Sequence, residues 1–178
     1  MTRRLNLAVA DEADFAQIVV SRRPFGMATT RASYHLLRET YFDTADGALS
    51  ERRMTLGVRL EASGRQVAEL VVMEAVNLNG IVEQSVYEAP IEGGGLYATL
   101  AGSSELATRV RAATDFDALR PQLALDLDRE WRDLKSGLFG RPTHRIAFDE
   151  IVAHAPGVTR AFRELTVTEL TPGGTGTE

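Results

Sequence analysis

The sequence predicts an α+β fold, mainly β, in the form of an antiparallel barrel or strongly curved sheet with peripheral helices. Three observations predict it. Met54–Glu61, Gln66–Met73 and Val82–Pro90 alternate apolar with polar or charged residues, the period-two signature of strands with one buried face. Few stretches are apolar on both sides, as strands buried under helices would be. Charged residues recur on one face of several strands, which suits a barrel with a polar interior better than a sandwich.

The elements follow in order. Arg4–Val9 reads as a strand. Asp11 then caps a helix with Phe15, Ile18 and Val19 at helical spacing, ending near Ser21–Pro24. Ser33–Phe42 is partly β-branched or aromatic and closes on the turn Asp43-Thr44-Ala45-Asp46-Gly47. Ala62-Ser63-Gly64 is the hairpin turn between the first two alternating strands. Gly93-Gly94-Gly95 opens a helical stretch over Leu96–Ala113, broken around Gly102-Ser103-Ser104, where a serine can cap the second piece. Strand-like runs return at Gln122–Leu134, His144–Val152 and Phe162–Leu170. The whole is about seven to eight strands and two or three helices in a single domain, 1–170. The tail Thr171–Glu178, rich in Gly and Pro, is expected to be disordered.

Composition narrows the chemistry. With no cysteine there is no disulfide framework, thiolate metal site or cysteine nucleophile. The 178 residues can bury a core without such staples. The longest apolar run, Leu70–Met73, is far short of the ~20 residues a membrane span needs, and no leader is evident, so a cytoplasmic protein is expected. Lys135 is the sole lysine among 20 basic residues, and the net charge is −5. An acidic chain with scattered Arg argues against nucleic-acid binding.

Tyr41-Phe42-Asp43-Thr44, followed by Leu56-Gly57-Val58-Arg59, resembles the CYTH family of triphosphate tunnel proteins. In order, Gly80 and Tyr87-Glu88 resemble the family's R-x-E-x-E segment, and Leu119-Arg120-Pro121 its LRP turn. Arg129, Phe148-Asp149 and Glu164-Leu165 resemble the strands that follow. The resemblance implies an eight-stranded antiparallel barrel forming a tunnel, in which carboxylates hold a divalent metal and Arg and Lys grip a triphosphate. The same alignment implies that this machinery is depleted here. The N-terminal E-x-E-x-K falls on Thr2, Arg4 and Asn6, the first Arg of LRxR on Gly57, and the Lys of TLK near Val71. Gln84 and Val86 replace the Arg and one acid of R-x-E-x-E, and Thr166 and Thr168 stand where further acids are expected. The chain also stops where longer family members continue into a helical stretch, which implies an uncovered tunnel mouth.

Residues two apart on a strand share a face. The expected inward set is therefore Arg59, Glu69, Glu88, Arg129, Asp149 and Glu164, with Val71, Val86, Thr166 and Thr168 between them. Apolar and hydroxyl walls with a few fixed charges suit a small organic ligand. Carboxylates beside apolar neighbours can act as general acids, and Glu88 with Glu164 or Asp149 is the candidate catalytic set. Arg59 and Arg129 would orient an anionic or carbonyl group, with Asp149 fixing an Arg. The competing reading is that each acid is salt-bridged to Arg59 or Arg129 as barrel filling.

Other features say less. His35, His144 and His154 show no metal-ligand spacing, so neither metal nor cofactor is expected. Asp126 and Asp128 share a strand face that reads as solvent-exposed. Trp131 is open to two readings, core packing or stacking on a ligand. Gly93–Gly95 lacks the Gly-Lys-Ser/Thr of a P-loop. Three functional readings follow: a barrel repurposed for a small organic molecule by cofactor-free acid–base catalysis such as cyclisation, isomerisation or dehydration; a non-catalytic scaffold; and a divergent metal-dependent triphosphate phosphohydrolase. The expected partner is the small molecule, with no nucleic acid and no membrane; a homo-oligomer is left open.

Overall fold

The computed structural model describes residues 4–76, 82–135, 137 and 140–170. Its elements in chain order are β1 (Arg4–Ala8), α1 (Glu12–Val20), β2 (Ala28–Thr29), β3 (Ser33–Asp43), α2 (Ala48–Glu51), β4 (Met54–Glu61) and β5 (Gln66–Val76). Then come β6 (Val82–Pro90), α3 (Gly95–Ala101), α4 (Glu105–Ala113), β7 (Arg120–Lys135), β8 (Pro142–Ala155) and β9 (Val158–Glu169). Hydrogen bonds link eight strands in the order β1-β9-β8-β7-β3-β4-β5-β6, and the two-residue β2 pairs β7. The predicted antiparallel, mainly β architecture is present. The ladder differs from a closed ring: β1 and β6 are its ends, and no pairing joins them among the described residues. Among the described residues the five-residue β1 is paired along its length with β9 alone. The tail 171–178, Thr2 and Gly80 lie outside the described residues.

The chain divides into two compact units. One comprises Leu37–Asp126 and Ala153–Thr159. Its centre is the β3-β4-β5-β6 ladder, with Gly57 opposite Tyr41 and Glu69, and Glu69 opposite Glu88. Alternation puts Leu56 and Leu70 on one face, where they pack with Leu49 of α2, Leu96 and Leu100 of α3, and Leu106 and Val110 of α4. All seven are nearly or wholly buried. Gly57, Arg59, Glu69 and Glu88 take the opposite face. α3 and α4 form as the sequence predicts, with the Ser104 hydroxyl accepting from Ala107 N at 3.1 Å. Arg111 donates to the carbonyls of Leu100 and Gly102 and so ties α4 to the end of α3.

The other unit comprises Met1–Leu36, Leu127–Val152 and Arg160–Glu178. Phe15 of α1 packs with Leu134, Ile146, Phe148 and Leu165 from β7, β8 and β9. Asp11 caps α1 through bonds from Ala13 N and Asp14 N. Arg132 donates to the carbonyls of Val19 and Ser21, holding the other end of α1 to β7. Among the described residues no helix is long and apolar enough to cross a membrane.

Candidate functional sites on two sheet faces

In the β4–β6 unit, the face opposite the helices gathers Arg59, Glu69, Val71, Val86 and Glu88, all foreseen from alternation. Arg59 divides its guanidinium among three strands. Its Nη1 donates to Glu69 and its Nη2 to Glu88, each at 3.5 Å, while Nε stands 3.9 Å from Glu61 of its own strand. Tyr41 adds a neighbour that sequence reasoning missed: its hydroxyl donates to Glu39 at 2.6 Å. Gly57 leaves the ring room, since a Cβ there would lie 3.3 Å from Tyr41 Cε1 and the ring would have to give by a few tenths of an ångström. Glu39 is opposite Arg59 on β3 and shares its face, so four carboxylates belong to the neighbourhood of one guanidinium. Val86 and Met73 are exposed beside them. The cross-strand signal that places Glu39 here is register, which a single strand's pattern does not contain, whereas Glu61 lies two residues from Arg59 on β4 and shares its face by alternation.

The divalent metal that the resemblance implies fits this face poorly. Its carboxylates converge on a guanidinium, whose positive charge occupies the point a cation would take. Among the described residues no group of three or more His, Asp or Glu side chains is arranged to hold a metal ion.

In the second unit, Arg129 grips Asp149 with both prongs of its fork, Nε to Oδ1 at 2.6 Å and Nη2 to Oδ2 at 2.8 Å. Asp149 is wholly buried. Such a pair is stable only because both charges are compensated in place. Glu164 accepts from the Thr166 hydroxyl at 3.1 Å, and Thr166 and Thr168 are paired with Asn6 and Arg4 of β1. Arg145 of β8 pairs with Asp133 of β7, with Nε 2.8 Å from Oδ1. The Arg145 guanidinium lies 3.6 Å above the Trp131 ring, and His35 stacks on the same indole at 6.0 Å with planes 16° apart. Trp131 is therefore neither simple core nor an open platform. The candidate pairing of Glu88 with Glu164 or Asp149 draws on residues of different units; within each unit the acids have their own arginine or hydroxyl partner.

The Asp43 of the Tyr-Phe-Asp-Thr turn has a structural task. Its carboxylate accepts from the backbone N–H groups of Thr44, Leu49 and Ser50 and from the Ser50 hydroxyl. Burial alone would raise its pKa, yet these bonds prevail and hold it below the ordinary carboxylate range. Asp126, by contrast, is half exposed and pairs with Arg38 and His154.

No protein-family model matches the sequence, and the search of curated proteins finds no match. Solved structures do match. A candidate adenylate cyclase from Bacillus halodurans aligns over 94% of this chain and 80% of its own, with 14% identity and a TM-score of 0.60. A candidate adenylyl cyclase from Hippeastrum, described as having a dominant triphosphatase activity, aligns over 97% and 81% with 16% identity and a TM-score of 0.58. A Pyrococcus horikoshii protein aligns over 96% and 78%, with 13% identity and a TM-score of 0.54. At such identities the likeness is one of fold.

Proposed function

We propose that this chain, which has the fold of CYTH-like cyclase and triphosphatase proteins, binds a small organic molecule and transforms it by cofactor-free acid–base catalysis. The observation that carries this reading is charge compensation. Arg59 is shared among Glu61, Glu69 and Glu88, and Arg129 gives Nε and Nη2 to Asp149. A triphosphate would have to displace carboxylates from either arginine while approaching acids that repel it. A small organic molecule carries no such demand. Val71, Val86 and Met73 offer apolar contact on the β4–β6 face, and Glu39, Glu61, Glu69 and Glu88 offer fixed polar groups.

Glu88, with 53% of its side chain exposed, is the acid best placed to reach a ligand. In a dehydration its carboxylate takes a proton from the carbon beside the departing hydroxyl and then passes that proton to the hydroxyl, which leaves as water, so the carboxylate is restored. An isomerisation or cyclisation uses the same two transfers without loss of water. Arg59, held by Glu69, orients a carbonyl oxygen during this exchange. On the other unit Glu164, with the Thr166 hydroxyl, is the alternative acid.

A melting-temperature screen against neutral, cationic and monoanionic organic compounds tests the reading. Ligand at 100 times its dissociation constant adds ~2.7 kcal/mol, a shift of several degrees for a chain of this size. Glu88→Gln should abolish turnover of any substrate so found while leaving the melting temperature of the free protein unchanged. Full turnover in that variant removes Glu88 from the mechanism. The second reading, a divergent metal-dependent phosphohydrolase, is favoured by the triphosphatase activity named for the Hippeastrum protein. It predicts metal-dependent stabilisation by tripolyphosphate.

A further inference from the structure

We infer that Arg145 is the recognition residue for a carboxylate on the small molecule. This inference deepens the organic-ligand reading and rests on it.

Register brings the parts together. The ion pairs Arg129–Asp149 and Asp133–Arg145 flank one position on β7 and one on β8, which sets Trp131 across from Ala147. The turn between Ala155 and Val158 and the bond from Leu170 N to the Thr143 carbonyl at 2.8 Å agree on the β8–β9 register. That register sets Thr168 across from Arg145 and Thr166 across from Ala147. Ile146 and Phe148 point to the α1 core, so Arg145, Ala147 and Asp149 lie on the other face with Trp131 and Arg129.

Arg59 and Arg129 were the arginines expected to hold an anion; Arg145 is a third, and the states of the three differ. Arg59 is divided among three glutamates, and Arg129 has given its fork to Asp149. Arg145 is bound differently. Asp133 takes only its Nε, and Trp131 holds its plane from 3.6 Å away. The Nη1 and Nη2 groups have no partner among the described residues, and the side chain is 39% exposed. A guanidinium fixed in plane, with its outer edge open, is preorganised for a planar two-oxygen acceptor. Thr168 supplies a hydroxyl beside it.

The surroundings select the anion. Asp133, Asp149 and Glu164 stand on the same three strands and the same face. Asp133 and Asp149 are paired with arginines, but the three named acids outnumber the two arginines, so a phosphate dianion is repelled about twice as strongly as a monocarboxylate. The ligand class is a small organic monocarboxylate.

Trp131 is the only tryptophan, so its emission reports on the group stacked over it. The experiment titrates that emission, at constant ionic strength, with butyrate and phenylacetate, with their amides, and with inorganic phosphate. A saturable change with the carboxylates and none with the amides is expected, with phosphate at least about tenfold weaker. Arg145→Lys keeps the charge but loses the fork and should weaken the carboxylate response about tenfold; Arg145→Gln should remove it. Arg109→Gln, on an exposed helical ion pair, should leave the response intact.

Equal responses to acid and amide, tighter binding of phosphate, or no saturable response to either carboxylate would each overturn the assignment. The comparison of acid with amide is made on the wild-type chain, so it stands even where a variant fails to fold. Melting-temperature shifts with neutral compounds, together with no Arg145-dependent carboxylate response, would sink this inference and leave the organic-ligand reading standing. Absence of shifts with every organic compound would remove both.

Discussion

Asp43 and Asp149 are both buried carboxylates on strand positions the resemblance singles out, yet their partners give them separate tasks. Asp43 accepts four hydrogen bonds from its own turn, so replacing it with Ala strands the N–H groups of Thr44, Leu49 and Ser50. Loss of a helix cap of this kind costs about 1–2 kcal/mol. The pH dependence has a definite sign. Because the folded pKa of Asp43 is depressed, its stabilising contribution is complete above the unfolded carboxylate range and is lost as pH falls through the folded value. Wild type should therefore lose stability below about pH 4, while Asp43→Asn starts lower and falls less over the same interval, as acid-melting curves would register. Equal slopes would contradict the assignment. Asp149→Asn breaks a buried bidentate pair and should destabilise by ~3 kcal/mol in urea unfolding, against under ~1 kcal/mol for the exposed Asp126→Asn. At this scale alternation showed which acids of a strand share a face, and it offered Arg59 or Arg129 as their partners without choosing between them. The choice is made by register, since Arg129 and Asp149 are 20 residues apart in the chain.

Elements were legible to the extent that their signals are local. The period-two pattern marks β4, β5 and β6, Asp11 marks the start of α1, and Gly102-Ser103-Ser104 marks the break between α3 and α4. The four-residue α2 and the two-residue β2 were not anticipated, since neither is long enough to display a period. α2 exists because Asp43 supplies acceptors to its first residues and because Leu49 is wholly buried. The opening of α3 has a stricter requirement. Gly94 has φ +113°, and a Cβ there would lie 2.8 Å from Ala98 Cβ. Gly94→Ala should therefore lower stability by more than ~1 kcal/mol, whereas Gly93→Ala, with open space around its Cβ position, should stay within about 0.5 kcal/mol. Chemical denaturation of the two variants side by side checks this contrast. Similar midpoints would mean that α3 begins elsewhere.

For the whole molecule, the order of short motifs along the chain was more informative than any one of them. Pieces resembling a CYTH barrel recur in sequence from Tyr41 to Glu164, and the eight-strand antiparallel ladder and the solved-structure matches agree with that reading. Identity near 14–16% to the solved structures accords with the absence of a family-model match, because apolar alternation, which many sequences satisfy, specifies a sheet without specifying its polar positions. The stack of Arg145 on Trp131 escaped the sequence reading for the same reason as Glu39 beside Arg59. Both are built by neighbouring strands, and no linear spacing announces them.

The central claim is that Arg59 and Arg129 are already engaged by the protein's own carboxylates and so do not bind a triphosphate with metal. Its most direct test is the melting temperature of the intact chain with tripolyphosphate or ATP, each with and without Mg²⁺ and Mn²⁺. The account predicts no saturable shift under any of these conditions. A metal-dependent rise of several degrees, saturating with triphosphate, would contradict it and make phosphohydrolysis the leading reading.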